Sequence, residues 1–280
     1  MANNTTINSE LFTSLLAEAQ FAAYENSVAR AIATAFDFPS NAGKTLQIPV
    51  YAAVTAGALT EGSAPSAANT ETTSVEISVS EIGTYFQVTD MLRDSAARDV
   101  MADLGMNAGR ALAEKMDSQV FDLFSSFTTD VGPGAGGEVT VDHLMKAAAT
   151  LRKNKLTGPF VAVLHPYQAY NIKKQLSSAG ASAVPSLSNA GNDVLSGFYI
   201  GNISGIAVYE SGLVGIDSDG DAIGGVFAKS AIAHVMRGAV KMETQRQAAA
   251  RATDVMISAV VGQGILQNAH GVKITGDAGL

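Results

Sequence analysis

From Val88 to Phe127 small or apolar side chains recur at Ala97, Val100/Met101, Leu104, Ala108, Ala111/Leu112, Met116, Val120, Leu123/Phe124 and Phe127. That three-to-four-residue spacing predicts one helix with a single buried stripe. Thr89 or Asp90 stands where a cap for its first turn belongs. About 35 residues at 1.5 Å each span roughly 50 Å, long against the usual three or four turns. Such a helix is a strut, which points to architecture before chemistry.

Upstream the pattern changes twice. Residues 9–38 read as helical and then irregular, with Leu11, Leu15, Ala19, Ala22/Ala23, and then Phe36 and Phe38 before Pro39. From Thr45 the runs LQIPVYAAVTAGA and TTSVEISVSEIGTYFQVT alternate and are rich in β-branched residues, which predicts the two strands of a hairpin. In the second run Val75, Ile77 and Val79 point one way and Glu76, Ser78 and Ser80 the other. The tip between them, ALTEGSAPSAANTE, has almost nothing to bury. A hairpin of about 45 residues is too long for a connector and is expected to project.

Downstream, VGPGAGGE reads as a hinge-like glycine loop and VTVDHLMKAAATLRKNKL as a second helix. GPFVAVLHPYQAYNIKKQL reads as a buried strand leading into another helix, and SSAGASAVPSLSNAGND as a low-complexity surface loop. Strand-like pieces follow in GFYIGNISGIAVYES, GGVFAKSAIAHVMRG, KMETQRQA and ATDVMISAVVGQGILQNAHGVKIT. The order predicts an α+β fold with no regular βαβ alternation and no internal repeat.

Composition sharpens this picture. The 280 residues are 47% hydrophobic and 16% charged, with 6% aromatics and no Trp. Few large anchors imply thin cores, so part of the stability is expected from contacts between copies. The absence of cysteine excludes disulfides, thiolate zinc sites and cysteine nucleophiles. MANNTTINSELF lacks the basic start and apolar run of a signal peptide, and no stretch is long and apolar enough to span a bilayer; a soluble protein made in a cytoplasm is expected. The net charge of −8 is concentrated in residues 1–91, where nine acids face two bases, Arg30 and Lys44. An acidic chain without a basic stripe is no natural reader of a phosphate backbone. Its acidic front could instead pair with basic patches on other copies.

The candidate chemistry is thin. Asn41-Ala-Gly-Lys-Thr45 lacks the first glycine of a phosphate loop, since position 38 is Phe, and a strand follows it; a turn is the better reading. Asp217-Ser-Asp-Gly-Asp221 has Ala222 and Ala228 where a calcium loop needs Gly and Glu, so a polar turn is expected. His143, His165, His234 and His270 are scattered without metal-ligand spacing. No GxSxG, carboxylate pair or strand-borne GxGxxG is present, and Gly132-Pro-Gly134-Ala-Gly-Gly137 has no phosphate-binding context. No catalytic residue, metal site or cofactor is expected.

Taken together, these segments resemble the major capsid proteins of tailed bacteriophages, the Hong Kong 97 phage fold. The resemblance rests on an arm, a long hairpin, and QVTDMLRDSAARDVMADLGMNAGRALAEKMDSQVF as the spine helix, with acidic residues near both ends, a habit that Asp94, Asp99 and Asp117 fit. It continues through FVAVLHPYQAYNIKKQL, GNISGIAVYES, GGVFAKSAIAHVMRGAVKMETQRQ and the closing VVGQGILQNAHGVKIT, nearly the whole chain from about residue 40. It implies an N-terminal arm over 1–40, an E-loop hairpin over 41–89, a peripheral domain over 90–140 and 232–261, and an axial domain over 141–231 and 262–280. It further implies a shell protein that assembles with itself into pentamers and hexamers of an icosahedral lattice. That lattice would enclose double-stranded DNA without sequence-specific contact, inside a virion assembled in the host cytoplasm. A portal and a decoration protein belong to the same expectation, and no membrane does.

Some members crosslink through an E-loop lysine, but no lysine lies between Thr45 and Asp90, so no such bond is expected. The N-terminal region is too short for a large fused scaffold domain, which points to a separate scaffolding protein. Glu61, Glu71, Glu76 and Glu81 on the hairpin are expected to face bases of an adjacent subunit, with Arg93, Arg98 and Arg110 on the spine and Lys241, Arg246 and Arg251 on the late strands as candidates. One exposed pair contributes only about 0–1 kcal/mol, but many repeats can make the sum decisive. The rival readings are an encapsulin-type nanocompartment shell, a flagellin-like filament or surface-layer subunit, and an enzyme. The tail GVKITGDAGL lacks the long terminal helix that a flagellin-like chain needs.

Overall fold

The computed structural model describes residues 15–24, 27–39, 43–51, 56, 58, 72–95, 100–178 and 199–279. They build two five-stranded sheets and a two-stranded ribbon, bridged by one helix. The helix is α4 (Val100–Asp122), continued by a 3-10 turn at Leu123–Ser126. Its apolar stripe serves two cores. Ala108, Leu112 and Met116 pack on the first sheet with Val255, Ile257, Ala259 and Val261. Val120, Phe121, Phe124 and Phe127 pack on the second with Val163, Ala222 and Phe227. Phe124 is fully buried, with ring centroids 5.6, 6.3 and 5.4 Å from Phe121, Phe127 and Phe227. Truncating such a ring costs about 3–5 kcal/mol, so this knot fixes the strut to the second sheet.

The single long helix expected from the sequence is described as two: α3 (Asp90–Ser95) precedes α4, and residues 96–99 lie outside the described residues. Thr89 caps the first of them, its Oγ1 accepting the Leu92 amide at 3.3 Å. The 23 residues of α4 span roughly 35 Å.

The first sheet runs β1 (Thr34–Phe38), β9 (Ile232–Arg237), β11 (Ala252–Ile265), β10 (Lys241–Gln247), with β4 (Ser80–Thr89) also on β11. β9 and β10 follow one another along one edge of β11, from Ile232↔Ile265 to Gln247↔Ala252. β4 lies along the other edge, from Ser80↔Val261 to Thr89↔Ala252. One face of this sheet is sealed by α4 and by the helix α1 over 15–24, whose Leu15, Ala19 and Ala23 join the core. Two glycines of α4 permit that seat. A Cβ on Gly105 would stand 2.7 Å from the Leu15 carbonyl oxygen, and one on Gly109 would stand 2.4 Å from that of Ala19.

The stretch before Pro39 is not irregular. β1 pairs in parallel with β9, Thr34↔Ala233 through Phe38↔Arg237, after a short helix α2 (Ala29–Ile32). The described part of the arm region is therefore built into the core. The hairpin prediction also divides. β2 (Thr45–Tyr51) and β3 (Thr72–Ser78) pair antiparallel in a ribbon of their own, Thr45↔Ser78 through Tyr51↔Thr72. The second run breaks at Val79 and continues as β4 in the first sheet. Its alternation holds, since Ile77 and Val79 are buried and Glu76, Ser78 and Ser80 exposed.

The second sheet runs β12 (Gly271–Asp277), β8 (Asp221–Ala228), β5 (Phe160–Leu164), β7 (Ile206–Glu210), β6 (Tyr199–Ile203). α5 (Val141–Lys153) and α6 (Pro166–Ser178) bury Leu144, Ala147, Leu151, Ala169 and Ile172 in its core. The helix, strand and helix expected there are present; Ser177 and Ser178, expected in the low-complexity loop, end α6, and the rest of that loop lies outside the described residues. The glycine loop is laid along the outer edge of β12 rather than left as a free hinge. Val131 and Gly134 donate to Lys273 and Thr275 carbonyls, and Lys273 and Asp277 amides donate to Thr129 and Gly137 carbonyls. The chain crosses between sheets at 229–231 and again after Ile265, because β11 runs unbroken past position 261.

Candidate functional site

Among the described residues no group of three or more His, Asp or Glu is placed to hold a metal ion. The four histidines stay apart. His143 closes the capping box of α5 with Thr140, whose amide donates to His143 Nδ1 at 3.1 Å. Buried His165 receives the Tyr167 amide, and His270 meets the Ser230 hydroxyl. His234 lies buried in β9, its basicity lowered to about 4 by burial and by the nearby charge of Arg30.

The Asp217 segment is a turn. Asp217 Oδ1 accepts the amides of Asp219 and Asp221, while Asp221 Oδ1 accepts the Gly136 amide. Gly43 and Lys44 simply enter β2.

What the fold does present is surface. Paired residues on neighbouring strands share a face, so the register sorts β4, β11 and β10 into two sides. The inner side carries Ile82, Phe86, Val88, Val255 and Ile257 against α4. The outer side sets Tyr85, Met256 and Glu243 in one row, and Gln87, Asp254 and Gln245 in the next. Tyr85 is 60% and Met256 39% exposed, an apolar island on the part of this face beyond Val260, where the β2–β3 ribbon packs. Asp254 is anchored by the Gln87 and Gln247 side-chain amides. Its hydrogen bond with Tyr85, aided by desolvation and charge, holds the phenol above its ordinary pKa. Glu81 lies beside Val260 and Lys241 beside Ser258 on this same outer side.

The charged residues singled out from the sequence scatter over this surface. Glu76 is exposed on β3 and accepts from Gln47 Nε2 at 2.6 Å; Glu81, Lys241 and Arg251 are exposed. Arg110 stands on α4 at the rim of a cleft of about 340 Å³ that also includes Phe121, Val163 and Leu213. Arg246 is engaged within its own chain, both guanidinium nitrogens 2.7 Å from the two oxygens of Asp90. Glu61, Glu71 and Arg98 lie outside the described residues, as does the Arg93 side chain. Tyr85, Met256 and Asp90 were missed. Their alternation shows which way they point, but not that a face is left bare or that residues 156 positions apart meet.

The model of a family described as phage capsid protein matches residues 70–274, well over half of the chain. This chain belongs to that family. No curated protein sequence matches it. Among solved structures, the head of Helicobacter pylori bacteriophage KHP40 is similar at a TM-score of 0.69 and 12% identity, covering 91% of each chain. A structure from Mycobacterium phage Che8 gives 0.64 and 22%, covering 83% of this chain and 85% of that one. A virus-like particle from Pyrococcus furiosus gives 0.63 and 12%, covering 93% and 97%. The architecture is the Hong Kong 97-like capsid fold, and the protein is a structural major capsid protein, a component of the virion that assembles into oligomeric shells. Among the described residues no helix is long and apolar enough to cross a membrane.

Proposed function

We propose that copies of this capsid protein close into pentamers and hexamers of an icosahedral shell around packaged double-stranded DNA, acting as structural parts and not as an enzyme. The β2–β3 ribbon carries this reading. A two-stranded ribbon is marginal on its own. This one leaves Tyr51 69% exposed and half-buries Leu46, Ile48 and Val75 against a small cluster around Phe38, Ile77 and Val235. It gains stability by lying across a neighbouring copy. In this reading the chain divides into an arm, a projecting ribbon, a peripheral unit around α4 and the first sheet, and an axial unit around the second sheet. Glu76 and Glu81 then face Arg110, Lys241 or Arg251 of an adjacent copy; Arg246 leaves that set because Asp90 already holds it. A separate scaffolding protein, a portal and a decoration protein complete a particle assembled in the host cytoplasm.

Negative-stain electron microscopy with sedimentation velocity, on the chain alone and with its genomic neighbours, tests this. Closed shells or rings of five or six are expected; a monomer or dimer under every condition overturns it. Reversing Glu76 and Glu81 to lysine should weaken assembly and alter its salt dependence, and unchanged assembly removes the charge pairing. The likeness to the Pyrococcus furiosus virus-like particle favours a second reading, a nanocompartment shell. Closed shells that form without scaffold and retain an enzyme encoded nearby would select it.

A further inference from the structure

The second sheet has two chemically opposite ends. Where β8 begins and β12 finishes, Asp221 lies across from Asp277. The Asp217 turn joins them through Asp217 N to Asp221 O, and Gly137 receives the Asp277 amide. This end therefore gathers the segments 137–142, 210–221 and 276–279. Of its carboxylates Glu138, Asp142, Asp217 and Asp219 are exposed. Those segments contain no Lys or Arg. On the flanking helices Lys146 and Lys173 are paired with Asp142 and Glu210 at 2.7 Å, and Lys174 also has a partner.

At the other end Phe160 lies across from Ala228 and beside Ile206, and Phe227 across from Gly271. Arg152 Nη2 donates to the Ser204 carbonyl at 2.8 Å and Asn154 Nδ2 to that of Ala269 at 2.7 Å, which gathers 152–159, 204–206, 228–230 and 268–271. Here Arg152, Lys153, Lys155 and Lys229 are all exposed, and these segments contain no Asp or Glu. The eight residues of β8 set the two ends roughly 25 Å apart.

Set end to end across a two-fold axis, such a body repels itself, acid on acid or base on base. It suits a head-to-tail contact, which closes a ring when the rotation permits. We infer that these ends are the two halves of one contact between successive copies around a ring, the acidic end of one copy against the basic end of the next. The inference rests on the shell reading above and adds to it which faces meet. Complementary charge of this kind fixes register and suppresses wrong pairings.

The test uses side chains with no hydrogen bond among the described residues. One variant carries Glu138→Lys and Asp219→Lys, which sets two bases on the acidic end. A second carries Lys155→Glu and Lys229→Glu, which sets two acids on the basic end. Each alone should raise the concentration needed for ring or shell formation about tenfold or more at low salt, with secondary structure and melting of the monomer unchanged. An equimolar mixture should recover assembly as alternating hexamers, because each junction then sets the native charges, or the swapped ones, opposite each other again. One chain carrying all four changes should recover as well. If the wild type fails to assemble in the same assay, the shell reading fails. If the wild type assembles and the single-ended variants match it, or if they are blocked and neither mixture nor four-fold swap restores them, the head-to-tail contact is overturned.

Discussion

Asp90 and Arg246, 156 residues apart, close a two-point ion pair with both contacts at 2.7 Å. Asp90 opens α3 and Arg246 lies near the end of β10. The Asp90 amide also donates to the Arg251 carbonyl at 2.9 Å. The tip of the β10–β11 hairpin is thereby tied to the start of the helical strut by one backbone and two side-chain bonds.

Replacing Arg246 with alanine should loosen that tie without unfolding the sheet. Hydrogen exchange should accelerate severalfold at the amides of Asp90 and Arg251, whose acceptors are the Arg251 and Ala248 carbonyls. Global melting should move little, because the pair is exposed on the Arg246 side. Arg246→Lys should behave like the alanine variant, since an ammonium cannot engage both carboxylate oxygens in the same planar geometry. Exchange at the wild-type rate in both variants would show that the tip is held by the strands alone.

Gly109→Ala should destabilise, against the usual trend in helices. An added methyl normally stabilises a helix interior by about 0.5–1 kcal/mol. Here it would meet the Ala19 carbonyl oxygen at 2.4 Å and Ala22 Cβ at 2.7 Å. Overpacking of that kind costs about 1–3 kcal/mol, so the net change should be a loss concentrated at the α1–α4 seam. Denaturation of the unassembled protein gives the sign, and limited proteolysis should detect earlier cleavage within 15–24. A stabilised variant would mean that α1 can lift away freely.

Much of this fold was legible along the chain because its signals are local. The stripe Leu104, Ala108, Leu112, Met116 is a period, and so is the alternation of Val75, Ile77 and Val79. Helix α5 carries its own capping residues in Thr140 and His143. What stayed hidden depends on partners far away. Thr34–Phe38 is a five-residue run ending at Pro39, and it becomes a strand only because β9 lies alongside. The break at Val79 follows from two sheets competing for one extended segment; its amide turns to the Lys44 carbonyl while Ser80 pairs with Val261. Arg246 looked available to a neighbour because nothing in its own segment revealed Asp90. The charge asymmetry of the second sheet was not readable, since its acids and bases are interleaved in sequence and separate only in space.

Gln168 should be among the costliest polar side chains to remove. It is fully buried, its Nε2 donating to the carbonyls of Ala222 at 2.8 Å and Gly276 at 2.9 Å. It joins α6 to both β8 and β12 at the acidic end of the sheet. Gln168→Leu leaves two buried carbonyls without that donor, a loss of about 2–4 kcal/mol in unfolding free energy. Gln168→Glu should be no better near neutral pH, because an oxygen would then face the same carbonyls. Urea denaturation of the unassembled protein measures both, and a loss well under about 1 kcal/mol for the leucine variant would show that water or a shifted backbone replaces the amide.

His234 predicts the direction of the acid response. It sits in β9 between Ala35 on β1 and Gln263 on β11, with Gln263 Nε2 3.5 Å from its Nδ1. Burial, with Arg30 adding repulsion, lowers its pKa from 6.5 to about 4, so the folded protein keeps the ring neutral. Between pH 6.5 and about 4 the unfolded chain binds the extra proton, and stability falls as pH drops through that window before levelling below it. The gap corresponds to about 3 kcal/mol for this one ring. Burial lowers His165 and His270 too, in the same sense. Asp117 acts oppositely: desolvation raises its carboxyl despite the Ala29, Val28 and Ser27 hydrogen bonds, so its burial penalty is relieved as pH falls through the raised value. His234→Gln should therefore flatten the slope of unfolding free energy between pH 6.5 and 4, while Asp117→Asn should steepen it. Denaturation curves of the unassembled protein across that range decide the matter. An unchanged slope in His234→Gln would place the acid sensitivity elsewhere.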